Sequence, residues 1–405
     1  MNKKDLYLKD NIKLKNLGSG SIKNLSKKFD KILLEIKADI KDNKKTLNVL
    51  DKNFKFNFKI NELKKFKKFK TIALIGMGGS ILGAEAIHHF LKTKVKKKIY
   101  FFNDLNEYKI LSFKKKEKIS KVLFIIISKS GNTIETLSNV FVLNFLKKNS
   151  RNIILISEKK NNLLFSLSKN LNLFYVEHKT YIGGRYSVLS EVGIIPAYLM
   201  GINIYKLRSK ILEPLEGKNR IFLKTSSIKM AKLMNSKKYN NLIFLNYFPQ
   251  LEKFLYWCQQ LIAESLGKKN KGFLPLISNV PKDHHSLLQL YLDGPKDKLF
   301  NIFSLDKNSK VKINIKKNTL INSFLNNKKF SKVKSAQKKA VIKSLSKKSI
   351  PLREFTINKI NEEVLGQLFS FFIIETIVIG KLLNIDPFDQ PAVEQVKVKT
   401  KQLLN

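Results

Sequence analysis

Short β-rich runs, largely apolar, alternate with helical stretches along most of this chain, and the alternation occurs in two successive sets. The first set of runs covers residues 71–77, 98–103, 122–128, 152–157 and 171–176. Runs of this length, rich in β-branched and aromatic residues, predict buried parallel strands. Between them, residues 81–91, 133–146 and 161–169 carry apolar side chains at helical spacing. Strand and helix in regular alternation predict a sheet covered on both faces. The pattern resumes with strands at 242–247, 273–278, 299–305 and 353–357 and a helix at 253–266. The expected fold class is α/β, with two doubly wound parallel-sheet αβα sandwich domains, a helical N-terminal extension and a C-terminal tail. Residues 1–68 are read as the extension, 69–210 as the first domain, 225–383 as the second, and 384–405 as a closing loop and helix. Pro214 and Gly217 break the pattern where the domains should meet.

Composition changes this picture little. At 405 residues the chain is long enough for two sizeable cores. Its net charge of +47 by itself suggests a nucleic-acid or membrane partner. Only Arg151, Arg185, Arg208, Arg220 and Arg353 are arginine, however, and the lysines are spread from end to end. Base and phosphate recognition leans on the planar guanidinium fork, so the charge reads as a solvated lysine coat, with no nucleic acid or membrane partner expected. The apolar segment 365–383 contains Gln367 and Glu375 and reads as a core helix. Cys258 is the single cysteine, which excludes an intrachain disulfide, and residues 1–17 lack an apolar segment of leader length. A cytoplasmic location is expected.

Chemistry concentrates in six places. After the strand at 122–128 comes Ser128-Lys129-Ser130-Gly131-Asn132-Thr133, a turn dense in hydroxyls at the expected start of a helix. Hydroxyls, free backbone N–H groups and the positive end of a helix dipole suit a phosphate group. The first strand runs into Gly76-Met77-Gly78-Gly79-Ser80-Ile81-Leu82-Gly83. A dinucleotide fingerprint needs its third glycine where Ile81 stands, and no Walker lysine follows, so neither nucleotide motif is met. Gly183-Gly184-Arg185-Tyr186-Ser187 sets an arginine beside a flexible pair. Gln260 and Glu264, four residues apart, share one face of a helix. Asp283-His284-His285-Ser286 holds two of five histidines, and the tail from Asn384 to Lys397 contains Gln390, Glu394 and Lys397 around two prolines. His88 and His89 read as packing residues, and no ligand spacing for a metal site occurs.

Together and in this order, these segments resemble the phosphoglucose isomerase family from about Ile72 to Lys397. Gly76 to Gly83 looks like the family's G-I-G-G-S-x-L-G, Ser128 to Thr136 its S-K-[ST] loop, and Gly183 to Ser187 its G-G-R-[FY]-S. Glu264 to Lys268 matches E-S-x-G-K, His285 falls on the histidine of D-Q-H-S, and Gln390 and Lys397 fall on the glutamine and lysine of Q-P-G-V-E-x-G-K. The resemblance implies sugar-isomerase-type domains and an aldose-ketose isomerase that interconverts glucose 6-phosphate and fructose 6-phosphate without metal or organic cofactor. It implies Glu264 as the base moving a proton between C2 and C1 through a cis-enediol, with Arg185 stabilising the charge on that intermediate. His285, from the neighbouring subunit of a homodimer, and Lys397 would open the sugar ring. Ser128, Lys129, Ser130 and Thr133 would hold the phosphate, while Gly79, Ser80, Gln260 and Gln390 would contact the sugar. Gly131-Asn132, His284, Ala392 and Val396 depart from the family pattern, and a second activity on mannose 6-phosphate is the nearest rival reading.

Overall fold

The computed structural model describes residues 5–13, 17, 22–315 and 324–404. Among the described residues ten strands form two five-stranded sheets: β1 Leu6–Asp10, β2 Thr71–Gly76, β3 Lys98–Phe102, β4 Val122–Ile127, β5 Ile153–Ser157, β6 Phe174–Glu177, β7 Asn241–Asn246, β8 Leu274–Asn279, β9 Lys298–Leu305 and β10 Leu352–Ile357. The first sheet has the order β3-β2-β4-β5-β6 and is parallel throughout. All six residues of β4 are buried, as its unbroken apolar run requires of a strand covered on both faces. The second sheet has the order β1-β10-β9-β7-β8. Its last four strands are parallel, while β1 pairs antiparallel with β10.

The extension adds one strand to its helices. Residues Leu6–Asp10 close the edge of the second sheet against a strand from near the opposite end of the chain. Their alternation of buried and exposed positions is that of an edge strand with one wet face. The helix Ile22–Lys41 follows, with Phe29, Ile32, Leu33, Ile36 and Ile40 on its buried face. Of the extension, residues 1–4, 14–16 and 18–21 lie outside the described residues. Helices Ile204–Ser209 and Gly217–Asn235 run through the segment where the domains meet, with Pro214 in a single turn between them and Gly217 at φ +47°.

The two sheets share one topology: β2, β3, β4 and β5 correspond to β7, β8, β9 and β10. The helix Leu82–Phe90 links β2 to β3 as Glu252–Leu266 links β7 to β8, and these two helices pack on each other between the domains. The helix Glu362–Leu382 is almost wholly enclosed, which makes it a core element in spite of its membrane-like length and hydropathy. Its Glu375 accepts from Arg353 Nη1 at 2.5 Å, and Arg353 Nε donates to Asn301 Oδ1 at 2.9 Å. Both charged groups are fully enclosed, so removing either partner should cost about 3–5 kcal/mol by stranding the other. The tail ends in a helix, Glu394–Leu404, that buries none of its residues.

Candidate active site

β2 and β4 are neighbours in register, with Gly76 opposite Ile127, so the turns that follow them emerge side by side at the carboxyl end of the first sheet. Gly76 has no room for a Cβ, which would stand 2.9 Å from the Ile127 carbonyl oxygen. The turn after β4 is held by its own hydroxyls. Ser128 Oγ lies 2.8 Å from Thr133 Oγ1, and the Gly131 N–H donates to Ser128 Oγ at 3.2 Å. Gly131 takes φ +69°, and a Cβ there would meet Asn162 Oδ1 at 1.8 Å, so only glycine fits this turn. Ser130 remains exposed, and Thr133 is the residue before the helix Ile134–Leu143. Lys129 Nζ donates to the Thr180 carbonyl at 2.8 Å and lies 3.6 Å from Glu158.

The turn after β2 is a contact hub. Gly78 takes φ +52°, and a Cβ there would stand 2.7 Å from Gln260 Nε2. Gly79 packs backbone to backbone on the next motif, since its Cβ would stand 2.2 Å from the Gly184 carbonyl carbon. Ser187 Oγ donates to the Gly79 carbonyl at 3.4 Å and ties the same pair of turns. Ser80 is half-buried beside them.

Glu264 enters this hub from the helix Glu252–Leu266. Gln260 Nε2 donates to its Oε1 at 2.9 Å, as the i,i+4 spacing anticipates, and Arg185 Nη1 lies 3.4 Å from its Oε2. Its side chain keeps 30 % of its surface exposed, whereas that of Arg185 keeps 3 %. All five guanidinium N–H groups of Arg185 have acceptors: Ser265 Oγ at 2.8 Å, Glu264, Gln390 Oε1 at 2.9 Å, and the Pro387 and Asp389 carbonyls at 2.7 and 3.0 Å. The buried cation therefore pins the tail loop against the carboxylate. Gln260 Oε1 is enclosed and has no hydrogen-bond partner among the described residues, which leaves an acceptor for a ligand donor.

Three groups here went unassigned in the sequence. Ser265 Oγ joins Arg185 Nε to the Tyr186 hydroxyl at 2.8 Å, and Tyr186 in turn donates to the Pro387 carbonyl at 2.7 Å. Lys268 Nζ donates to the Asp386 and Asp389 carbonyls and pairs with the Asp389 carboxylate. Ser265 and Lys268 sit within the E-S-x-G-K segment, so the signal was present, but Lys268 and Tyr186 reach backbone oxygens that no side-chain motif reveals, and Ser265 meets two side chains about 80 residues away in sequence.

His285 and Lys397 stand apart from the cluster within one chain. Asn279, at the end of β8, donates to Glu252 Oε1 at 2.9 Å through its side chain and to Asp283 Oδ2 at 2.8 Å through its backbone, so His285 lies near the start of the helix that carries Glu264. Twelve residues of helix separate Glu252 from Glu264, about 18 Å at 1.5 Å per residue. His285 is exposed, whereas His284 is held at 3.0 Å from the Tyr247 hydroxyl. Lys397 pairs with Glu394 at 2.7 Å on the unburied terminal helix.

Two domains of repeated topology, with hydroxyl and glycine turns at the carboxyl ends of a parallel sheet and a carboxylate beside a saturated arginine, define a sugar-phosphate isomerase type of molecule. The chain belongs to the phosphoglucose isomerase family, whose model matches residues 30–405. It is 33 % identical over 359 residues to glucose-6-phosphate isomerase of Methanocaldococcus jannaschii, covering 84 % of this chain and 85 % of that protein. Among solved structures, a hypothetical protein from Thermus thermophilus superposes with a TM-score of 0.82 at 23 % identity, covering 98 % of this chain and 99 % of that one. A glucose-6-phosphate isomerase from Chlamydia trachomatis superposes with a TM-score of 0.67 at 19 % identity, covering 85 % and 71 % respectively. These two likenesses establish the fold.

Proposed function

We propose that this enzyme interconverts glucose 6-phosphate and fructose 6-phosphate by proton transfer through a cis-enediol, serving glycolysis and gluconeogenesis. The observation that carries the reading is the grouping of Glu264, Arg185, Gln260 and Gln390 at the same sheet end as the Ser128–Thr133 turn. Isomerisation removes the C2 proton of the open-chain aldose and returns a proton to C1, so one carboxylate placed over both carbons suffices as base and acid. A positioned base of this kind contributes roughly 10²–10⁴-fold. Arg185, charged and enclosed, would lower the energy of the enediolate by its field, since its N–H groups are already engaged. Ser128, Ser130 and Thr133, with the backbone N–H groups of the turn, would hold the phosphate and so orient the far end of the sugar against Glu264.

The ring-opening groups complete the reading. An exposed His285 about a helix length from the Glu264 of its own chain suits delivery to a second chain's site, which makes the working unit a homodimer with shared sites. Lys397, on a helix that buries none of its residues in one chain, would be seated in the same assembly.

A coupled assay of the purified protein with fructose 6-phosphate, in the presence and absence of a chelator, tests the activity. Turnover in deuterated solvent should carry deuterium into C2 of the recovered glucose 6-phosphate. No turnover, or turnover strictly dependent on added metal, would overturn the proposal. Mannose 6-phosphate in the same assay separates the single from the dual specificity.

A further inference from the structure

The second sheet carries a cleft at its own carboxyl end that the isomerase chemistry leaves unused. It encloses about 870 Å³ where β7, β9 and β10 end and the helix Phe330–Lys347 begins. Its place follows from the repeated topology. β9 is the counterpart of β4, and the helix Phe330–Lys347 that follows it is the counterpart of Ile134–Leu143. Open α/β sheets bind ligands at this point.

The lining is cationic well beyond the average of the chain. Among the described residues its lining holds seven lysines and one carboxylate, Asp306, against 78 cationic and 31 acidic residues in the whole sequence. Lys338 is the innermost. Its Nζ donates at 2.9 Å to Ser304 Oγ at the end of β9, and Ser304, 6 % exposed, lies 3.4 Å from Thr356 Oγ1 on β10. Among the described residues no carboxylate lies within ion-pairing distance of Lys338, and the nearest acidic groups, Glu354 and Asp306, act on it only through space. Burial pulls its pKa down from 10.5, a desolvation that an anion in the cleft would offset. The Ser309 N–H donates to Ser331 Oγ at 3.0 Å, which fixes the strand exit against the helix start. The buried Ser304 hydroxyl at the strand end and the half-buried Lys338, two turns into the following helix, thus meet at the carboxyl end of this sheet.

We infer that this cleft is a second ligand site, separate from the isomerase centre, for a small phosphorylated metabolite held by Lys338, Lys332, Lys307 and the Ser304 hydroxyl. A cleft of this size holds more than one phosphate group, so inorganic pyrophosphate is a suitable probe. Calorimetric titration should be run on Ser130→Asp, which silences the first turn, and on the same chain carrying Lys332→Glu and Lys338→Glu. The single variant should retain one pyrophosphate per chain, and the added pair should weaken it at least tenfold, with fructose 6-phosphate turnover of the lysine pair alone unchanged. Lys332→Glu alone, at an exposed position, should give part of the loss if the pair folds poorly. A control pair elsewhere in the lysine coat, Lys115→Glu and Lys116→Glu, should leave binding intact. Absence of pyrophosphate binding in the Ser130→Asp chain, or equal weakening by the control pair, would overturn the site in favour of the general lysine coat. Neither result bears on the isomerase assay.

Discussion

Arg185 Nη1 lies 3.4 Å from Glu264 Oε2 and only 2.9 Å from Gln390 Oε1. The guanidinium therefore sits between the carboxylate and the tail loop, and its removal acts on both. The carboxylate itself is the simplest test. Glu264→Gln preserves shape and the contact from Gln260 while deleting basicity, so kcat should fall by about 10²–10⁴-fold with KM nearly unchanged. Steady-state kinetics in both directions check this, and turnover within tenfold of wild type would remove Glu264 as the base.

Arg185→Lys keeps a positive charge but replaces five fixed donors by a point charge on a flexible stem. The Pro387 and Asp389 carbonyls, Ser265 and Gln390 cannot all be satisfied, and the tail loop should loosen. A stability loss of about 2–4 kcal/mol is expected in urea unfolding, together with a rise in KM and a fall in kcat. Protease cleavage within residues 386–390, faster than in wild type, would report the loosened loop directly.

Two neighbouring glycines should respond differently. At Gly79 a Cβ meets backbone atoms of Gly184 and Arg185 at 2.2–2.6 Å, which cannot yield without separating the two turns. At Gly78 the obstacle is the Gln260 amide at 2.7 Å, which can rotate, although φ +52° adds about 1 kcal/mol of strain. Gly79→Ala should thus lower both melting temperature and kcat markedly, whereas Gly78→Ala should spare most of the stability and lower kcat through Gln260. Paired thermal melts and assays distinguish them; equal melting temperatures would contradict the contact.

Much of the fold was written in the hydrophobic pattern because the strands of a doubly covered sheet must be apolar along their whole length. β4 announces itself in this way. β1 does not, since the run Leu-Tyr-Leu-Lys-Asp is short, half wet and paired with a strand far along the chain. In the site, Gln260 and Glu264 were legible from i,i+4 spacing, and the hydroxyl turn from its density of donors. The clamp on the tail was not, because Arg185, Tyr186 and Lys268 bind backbone carbonyls 118–204 residues away, and any sequence offers those oxygens equally. The engagement of Lys129 with Glu158 was hidden for a related reason: two adjacent strand ends bring them together, and no local motif records it.

A shared active site can be tested by complementation. If His285 serves the partner's site, Glu264→Gln and His285→Ala homodimers are each impaired at both sites. After unfolding and refolding as a mixture, half of the dimers are mixed, and each of these has one intact site and one doubly altered site. Activity of about a quarter of wild type should therefore return from two weak parents. No recovery, with mixed dimers verified by differential tags, would place His285 outside the shared site.

Acid stability should report His178. It is 1 % exposed, its Nδ1 is bonded to the Lys179 carbonyl at 2.9 Å, and burial lowers its pKa from 6.5 to about 4. The unfolded chain takes up this proton near pH 6.5, but the folded chain resists it until about pH 4. The contribution to stability is thus fully present above pH 6.5 and is lost as the pH falls toward 4, amounting to about 2 kcal/mol by pH 5. His88, lowered to about 4 by the same cause but partly open to water, adds a smaller loss of the same sign. Urea unfolding at pH 7 and pH 5 should show His178→Gln losing about 2 kcal/mol less than wild type over that interval, whatever its stability at pH 7. Identical losses in the two proteins would mean that His178 charges as readily in the folded chain as in the unfolded one.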